Sequence, residues 1–266
     1  MHSSTASPLQ PLVISALLNV VPMLLLVVGT ATAIAPVFQL PAGYAVQCLA
    51  VFAGLLLALS PFLPQHLPLE RFGAANRVTL LRAGIAALMA GLIGWPAIQP
   101  GLAWLMAVLA AIALILDGVD GWLARRGGME SPFGARFDME VDAFFILILA
   151  VLVHQSDKAG GWVLLSGALR YGFVALGYAL PWLRRPLPPR KRRQTACVIQ
   201  TAVLALCLAP PLVRPWTTAL ATGALGLLAL SFTADTIWLA RRAARREAAP
   251  RTTGVEQNHR TGDPGR

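Results

Sequence analysis

Four aspartates, Asp117, Asp120, Asp138 and Asp142, fall within the stretch LDGVDGWLARRGGMESPFGARFDMEVDAFF, residues 116–145. On a helix, residues three or four apart share a face, so Asp117 pairs with Asp120 and Asp138 with Asp142. Gly127, Gly128 and Pro132 mark a reversal between the two pairs, which folds the second helix back beside the first and lets all four carboxylates face one another. Like charges gathered in this way repel unless some are protonated or cations neutralise them. Hard oxygen donors with no His or Cys beside them suit Mg²⁺, Mn²⁺ or Ca²⁺. A cluster holding one or two such ions is in turn a site for a phosphate or diphosphate, because the metal bridges carboxylate to phosphoryl oxygen. The plainer reading, interfacial charges satisfied by neighbouring arginines, suits a single aspartate better than four converging ones.

The elements that carry these residues are apolar. The chain of 266 residues is 56% hydrophobic and only 13% charged, which is the composition of a membrane protein. Eight segments are long enough to cross a hydrocarbon layer as helices: residues 12–37, 45–63, 78–97, 102–125, 136–153, 161–183, 195–213 and 216–239. They lack the two-residue alternation of barrel strands, so the reading is an all-α, polytopic helical bundle. The net charge of +10 is concentrated after Ala124, after Leu183 and after Leu239, behind every second span. The positive-inside rule puts those three loops in the cytoplasm and the alternate loops outside. Basic bands beside spans fix topology and touch anionic membrane lipid, so nucleic acid is not expected as a partner. Cys48, Cys197 and Cys207 stand alone in apolar segments and read as packing residues. His2, His66, His154 and His259 lie at loops or termini, against a histidine-based zinc site or triad. The first long apolar run has no charged region before it and is read as a retained helix, not a cleaved leader.

The order Asp117, two residues, Asp120-Gly121, two residues, Ala124-Arg125, eight residues, Gly134, three residues, Asp138, three residues, Asp142 resembles the signature of the CDP-alcohol phosphotransferase family, with every fixed position met. The signature covers about a tenth of the chain, and the six spans from Val78 to Leu239 resemble the family's six-helix core. Upstream, NRVTLLR with Asn76, Thr79 and Arg82 resembles a second, weaker element. The resemblance implies transfer of a phosphoryl-linked alcohol from a CDP-alcohol to an acceptor alcohol with release of CMP, and the donor expected here is CDP-diacylglycerol with its phosphatidyl group. It implies that Asp117, Asp120 and Asp138 hold Mg²⁺ or Mn²⁺, one or two ions, on the diphosphate, and that Asp142 serves as general base and further metal ligand. Asn76, Thr79, Arg82, Gly121, Ala124, Arg125 and Gly134 are then expected around the CDP moiety. Homodimers are common in the family. The resemblance also implies phospholipid synthesis, and high Ala, Leu and Arg usage points to a bacterial inner membrane with the site facing the cytoplasm.

On this reading residues 1–70 form a two-helix membrane extension, 71–242 the transferase-like domain and 243–266 a basic, polar, disordered tail. Two other chemistries use intramembrane carboxylates. A prenyltransferase with aspartates and Mg²⁺ usually carries its aspartate-rich motif twice, and here there is one cluster; a cation or proton transporter has no need of Gly and Arg at fixed spacing. Arg170 sits midway along a span, where an unpaired guanidinium is costly, so it should meet an acceptor phosphate or an aspartate. Arg192, in the run RKRRQT, is the other residue expected to bind a phosphorylated acceptor. Asp235 is expected to pair with Arg241 or Arg242 on its own helix.

Overall fold

The computed structural model describes residues 9–95, 99–127, 130–180, 182 and 191–247, with the side chains of residues 124, 125, 127, 191 and 243–247 excepted. Among them are eight α-helices and no strand: α1 Leu9–Val37, α2 Gly43–Leu59, α3 Ala74–Ala90, α4 Pro100–Gly127, α5 Pro132–Gln155, α6 Leu165–Ala179, α7 Lys191–Leu208 and α8 Trp216–Glu247. Two 3₁₀ turns, Ser60–His66 and Gly161–Leu164, lead out of α2 and into α6. The all-helical expectation therefore holds.

Five segments are long and apolar enough to cross a membrane unaided: Leu9–Val37, Gly43–His66, Pro100–Leu123, Gly161–Ala179 and Trp216–Arg242. The other three helices were also expected as spans, and their composition explains why they stand apart. Helix α3 has 17 residues, including Arg77 and Arg82. Helix α5 carries Arg136, Asp138, Glu140 and Asp142, and α7 opens on Lys-Arg-Arg. These helices hold the ionisable residues, and neighbouring helices rather than lipid surround much of their length.

Burial identifies the centre. Twelve residues of α3 are buried, from Asn76 to Ala90, whereas the longer α1 buries only Leu12, Ala16, Val27 and Ala31 and turns Leu18, Leu25 and Leu26 outward. A helix ringed by α1, α2, α4 and α5 can tolerate polar side chains, because its neighbours supply their partners. Local signals set its ends. Gly73 adopts φ 81°, a left-handed conformation that lets the chain turn sharply into α3, and Gly94 at φ 90° completes the turn beyond its end. The helix consequently starts before the expected position 78, so that Asn76 is helical, and ends before 97. Helix α5 starts before the expected position 136: Ser131 is an extended N-cap whose hydroxyl accepts from the Gly134 N–H, followed by Pro132 at the first helical position. At the other end of the chain, α8 runs on to Glu247, past the expected boundary at 242; the remainder of the expected tail lies outside the described residues.

Helices α5 and α6 cross closely because Gly167 has no side chain. A Cβ at Gly167 would fall 2.6 Å from Leu147 Cα, a backbone atom that can move only if the helices part. Gly172, on the same helix, has nothing within 4 Å of such a Cβ. Gly167→Ala should therefore destabilise the detergent-purified protein by roughly 1–3 kcal/mol, as overpacking does. Gly172→Ala should stay within about 0.5 kcal/mol of the parent. Equal melting temperatures for the two variants would contradict this crossing.

Candidate active site

Helices α3, α4 and α5 meet around a single guanidinium. Arg82, on α3 and only 4% exposed, places Nη2 2.9 Å from Asp117 Oδ1 and Nη1 2.7 Å from both Asp120 Oδ2 and Asp138 Oδ1, and also pairs with Asp142. The Thr79 hydroxyl, one helical turn before Arg82, donates to Asp120 Oδ2 at 3.2 Å. The four carboxylates thus converge as their spacing predicts, and the arginine at their centre comes from a third helix. Asp120 is buried at 4% exposure, while Asp117, Asp138 and Asp142 are 21%, 41% and 35% exposed and open onto a cavity. One face of the cluster is therefore dry and the other accessible.

The donor set fits a hard divalent cation. Carboxylate oxygens of Asp117, Asp120 and Asp138 lie within 4.8 Å of one another, and among the described residues no His or Cys shares the cluster and one guanidinium, Arg82, pairs with all four carboxylates. Oxygen-only ligands with surplus negative charge are what Mg²⁺ or Mn²⁺ require.

The cavity has a volume of about 540 Å³. Its floor is the Arg82–aspartate cluster with Gly121; Leu114, Ile146, Val198, Leu228 and Phe232 form an apolar wall; Arg170, Arg193 and Gln194 bring polar groups. Cys197, read from sequence as a packing residue, is half-buried on the same lining.

The remaining expected site residues are distributed around this core. Asn76 and Gly134 meet each other: the Asn76 amide donates to Phe72 O at 2.6 Å, and a Cβ at Gly134 would lie 2.9 Å from Asn76 Oδ1. A larger residue there would displace the Asn76 side chain, so glycine lets α5 sit against α3 at that level. The side chains of Ala124 and Arg125 lie outside those described. Arg170 lines the cavity but pairs with Glu140 at 2.7 Å, a glutamate rather than the expected aspartate. Its Nε is buried without a hydrogen-bond partner.

Arg192 departs from expectation. It pairs with Asp235 on α8 at 2.7 Å and donates to Ser231 O, so it stands outside the cavity lining, and Arg193 takes the inward position instead. Asp235 accordingly meets Arg192 and Arg193 across the α7–α8 interface; the pairing expected with Arg241 or Arg242 overlooked this because that interface cannot be read from one helix. The run RKRRQT contained both arginines, and only the rotation of α7 against α8 distinguishes them. Glu140 gave no signal beyond being an acidic residue inside a span, and His66, expected in a loop, is in fact buried at the end of its 3₁₀ turn.

Comparison with known proteins agrees with the geometry. The sequence profile of the CDP-alcohol phosphatidyltransferase family matches residues 72–234, a range that contains all four aspartates, Arg82 and the cavity-lining residues. A bifunctional IPC transferase and DIPP synthase from Rubrobacter xylanophilus is 35% identical over 156 residues, covering 57% of this chain and 34% of that protein. The chain thus spans about a third of that relative's length. No solved structure matches. A profile that covers more than half of the chain and is centred on the helices that build the cluster carries the assignment: the protein belongs to the CDP-alcohol phosphatidyltransferase family.

Proposed function

We propose that this membrane-embedded transferase moves the phosphatidyl group of CDP-diacylglycerol to an acceptor alcohol, releases CMP and serves phospholipid synthesis. The family supplies the reaction type, and the observation that supports the lipid donor is the cavity itself, with a carboxylate floor for a diphosphate beside an apolar wall for hydrocarbon. The basic residues after Ala124, Leu183 and Leu239 support a reading in which the site faces the cytoplasm, in a bacterial inner membrane.

Asp117, Asp120 and Asp138, with Asp142 beside them, are the residues that would hold Mg²⁺ or Mn²⁺. Bound there, the cation would offset charge on the diphosphate and stabilise departing CMP. Gly121, on the cavity lining next to Asp120, leaves room for the nucleotide, Thr79 and Arg82 fix the carboxylates from α3, and Asn76 stands on the same helix beside Gly134. Asp142, partly exposed to the cavity, takes the proton from the acceptor hydroxyl. The hydroxyl oxygen then bonds to the phosphorus that bears the alcohol, and the bond from that phosphorus to the CMP oxygen breaks with its electron pair. Arg170 and Arg193, both on the cavity lining, suit an acceptor that carries a phosphate, since guanidinium groups bind phosphate bidentately. Such a phosphate would compete with Glu140 for Arg170.

Purified protein given labelled CDP-diacylglycerol and an acceptor panel should release CMP, stop in EDTA and recover with Mg²⁺ or Mn²⁺. Undiminished release in chelator sinks the metal assignment. Release from a water-soluble CDP-alcohol alone moves the donor out of the lipid class, and no release from either sinks the transferase reading. Asp142→Asn should lower kcat by roughly 10²–10⁴, the usual contribution of a positioned base, while donor binding persists. Near-native turnover would place the base elsewhere. Arg193→Ala should raise acceptor KM about tenfold or more and leave donor KM unchanged, the loss of a charge-assisted hydrogen bond. Arg192→Ala should instead cost stability, because it removes one partner of a buried carboxylate at Asp235. Preference for a non-phosphorylated acceptor such as serine would show the phosphate reading to be wrong.

A further inference from the structure

His66 ends the 3₁₀ turn that follows α2, and only 1% of its surface is exposed. Its two ring nitrogens are both engaged. Nε2 lies 2.9 Å from the Arg71 carbonyl, which can only accept, so Nε2 carries the proton. That leaves Nδ1 to accept from the Ser131 hydroxyl at 2.6 Å, and Ser131 Oγ in turn accepts from the Gly134 N–H at 3.0 Å. The result is a continuous chain from the N-terminal helix pair to the first turn of α5, in which each donor and acceptor has a partner.

Packing reinforces the same junction. The Phe133 ring meets His66 edge-on at 5.8 Å and stacks on Phe137 at 5.7 Å, and the Arg136 guanidinium lies 3.6 Å over the Phe62 ring. Phe137 immediately precedes Asp138, and Gly134 is one turn before Asp138 and two turns before Asp142. The other side of Gly134 abuts Asn76 of α3, so α5 is held at its start between the N-terminal extension and the central helix. A helix capped and packed at its first turn cannot rotate about its axis or slide without carrying its whole acidic face.

We propose that His66 is a positioning residue: through Ser131 it sets the rotation and depth of α5 and thereby directs Asp138 and Asp142 toward the cation site of the proposed transferase. This gives the two-helix extension a role in the reaction without any contact with substrate, and it rests on the metal reading given above.

The test compares wild type, His66→Leu and His66→Asn, each purified in detergent. Mn²⁺ binding is followed by the electron paramagnetic resonance signal of the free ion, thermal unfolding is recorded, and the Mn²⁺ concentration for half-maximal CMP release is measured. His66→Leu should weaken Mn²⁺ binding about tenfold, the usual scale for loss of a residue that orients metal ligands, and shift half-maximal activity equally. His66→Asn, whose Oδ1 can replace Nδ1 as the acceptor for Ser131, should recover most of the loss. A purely structural role would lower the melting temperature of both variants and leave the Mn²⁺ affinity of the folded protein unchanged, which overturns the proposal. So does His66→Asn binding no better than His66→Leu. If His66→Leu does not fold, Ser131→Ala cuts the same chain from the α5 side and is read in the same way. Wild type that binds no Mn²⁺ removes the metal reading itself and this inference with it, whereas wild-type binding matched by His66→Leu overturns the positioning role alone.

Discussion

The constraint on which the architecture turns is the charge held inside it. Four carboxylates drawn together within an apolar bundle could not coexist without compensation, and the Arg82 guanidinium, itself almost wholly buried, touches all four. Each ionic group makes the burial of the others tolerable. Three helices must therefore hold their registers together, since sliding any one of them would leave charge unpaired. The Thr79 hydroxyl bond to Asp120, one turn from Arg82, is a second tie that fixes α3 against α4 at the same level.

Much of the surrounding fold can be understood as what keeps those registers. Closeness is achieved where side chains are omitted: Gly134 beside Asn76, and Gly167 against the backbone of α5 at Leu147. Orientation is achieved by hydrogen bonds that end on backbone carbonyls. Asn76 reaches Phe72 at the start of α3, while Gln155 donates to Leu92 and Trp95 and joins the far end of α5 to the turn after α3. In hydrocarbon such groups have no water to turn to, so a polar side chain that finds a carbonyl both satisfies itself and anchors a neighbouring helix. The enclosed position of α3 follows: Asn76, Thr79 and Arg82 in its first half are all buried and need partners from neighbouring helices or backbone.

The cavity carries the same logic to its mouth. Its floor is ionic, its wall is apolar, and the two arginines on its lining besides Arg82 are restrained by acidic partners, Arg170 by Glu140 and Arg193 by Asp235. A buried guanidinium without such a partner would be costly, and one bound too firmly would be useless to a ligand. Arg193, 3.7 Å from Asp235 against 2.7 Å for Arg192, is the less committed of the adjacent pair.

Sequence alone determined whatever depends on neighbours along the chain. The three- and four-residue spacings put the aspartates on common helix faces, Gly127, Gly128 and Pro132 marked the reversal between them, and the apolar runs required helices in lipid; the signature from Asp117 to Asp142 pointed to a family that the profile match then showed. These are short-range consequences of a 3.6-residue repeat and of backbone chemistry. What only the tertiary structure decided are the partners across helices. Arg82, expected around the nucleotide, lines the cavity and also centres the carboxylates; Arg192 turned to Asp235 and left Arg193 on the cavity lining; Arg170 found Glu140; His66, sixty-five residues before Ser131, proved to be buried against the cap of α5. Which face of one helix meets which face of another is set by crossing angle and register. A difference of one residue, about 100° of rotation, exchanges a lining residue for an interface residue while leaving hydropathy and spacing unchanged.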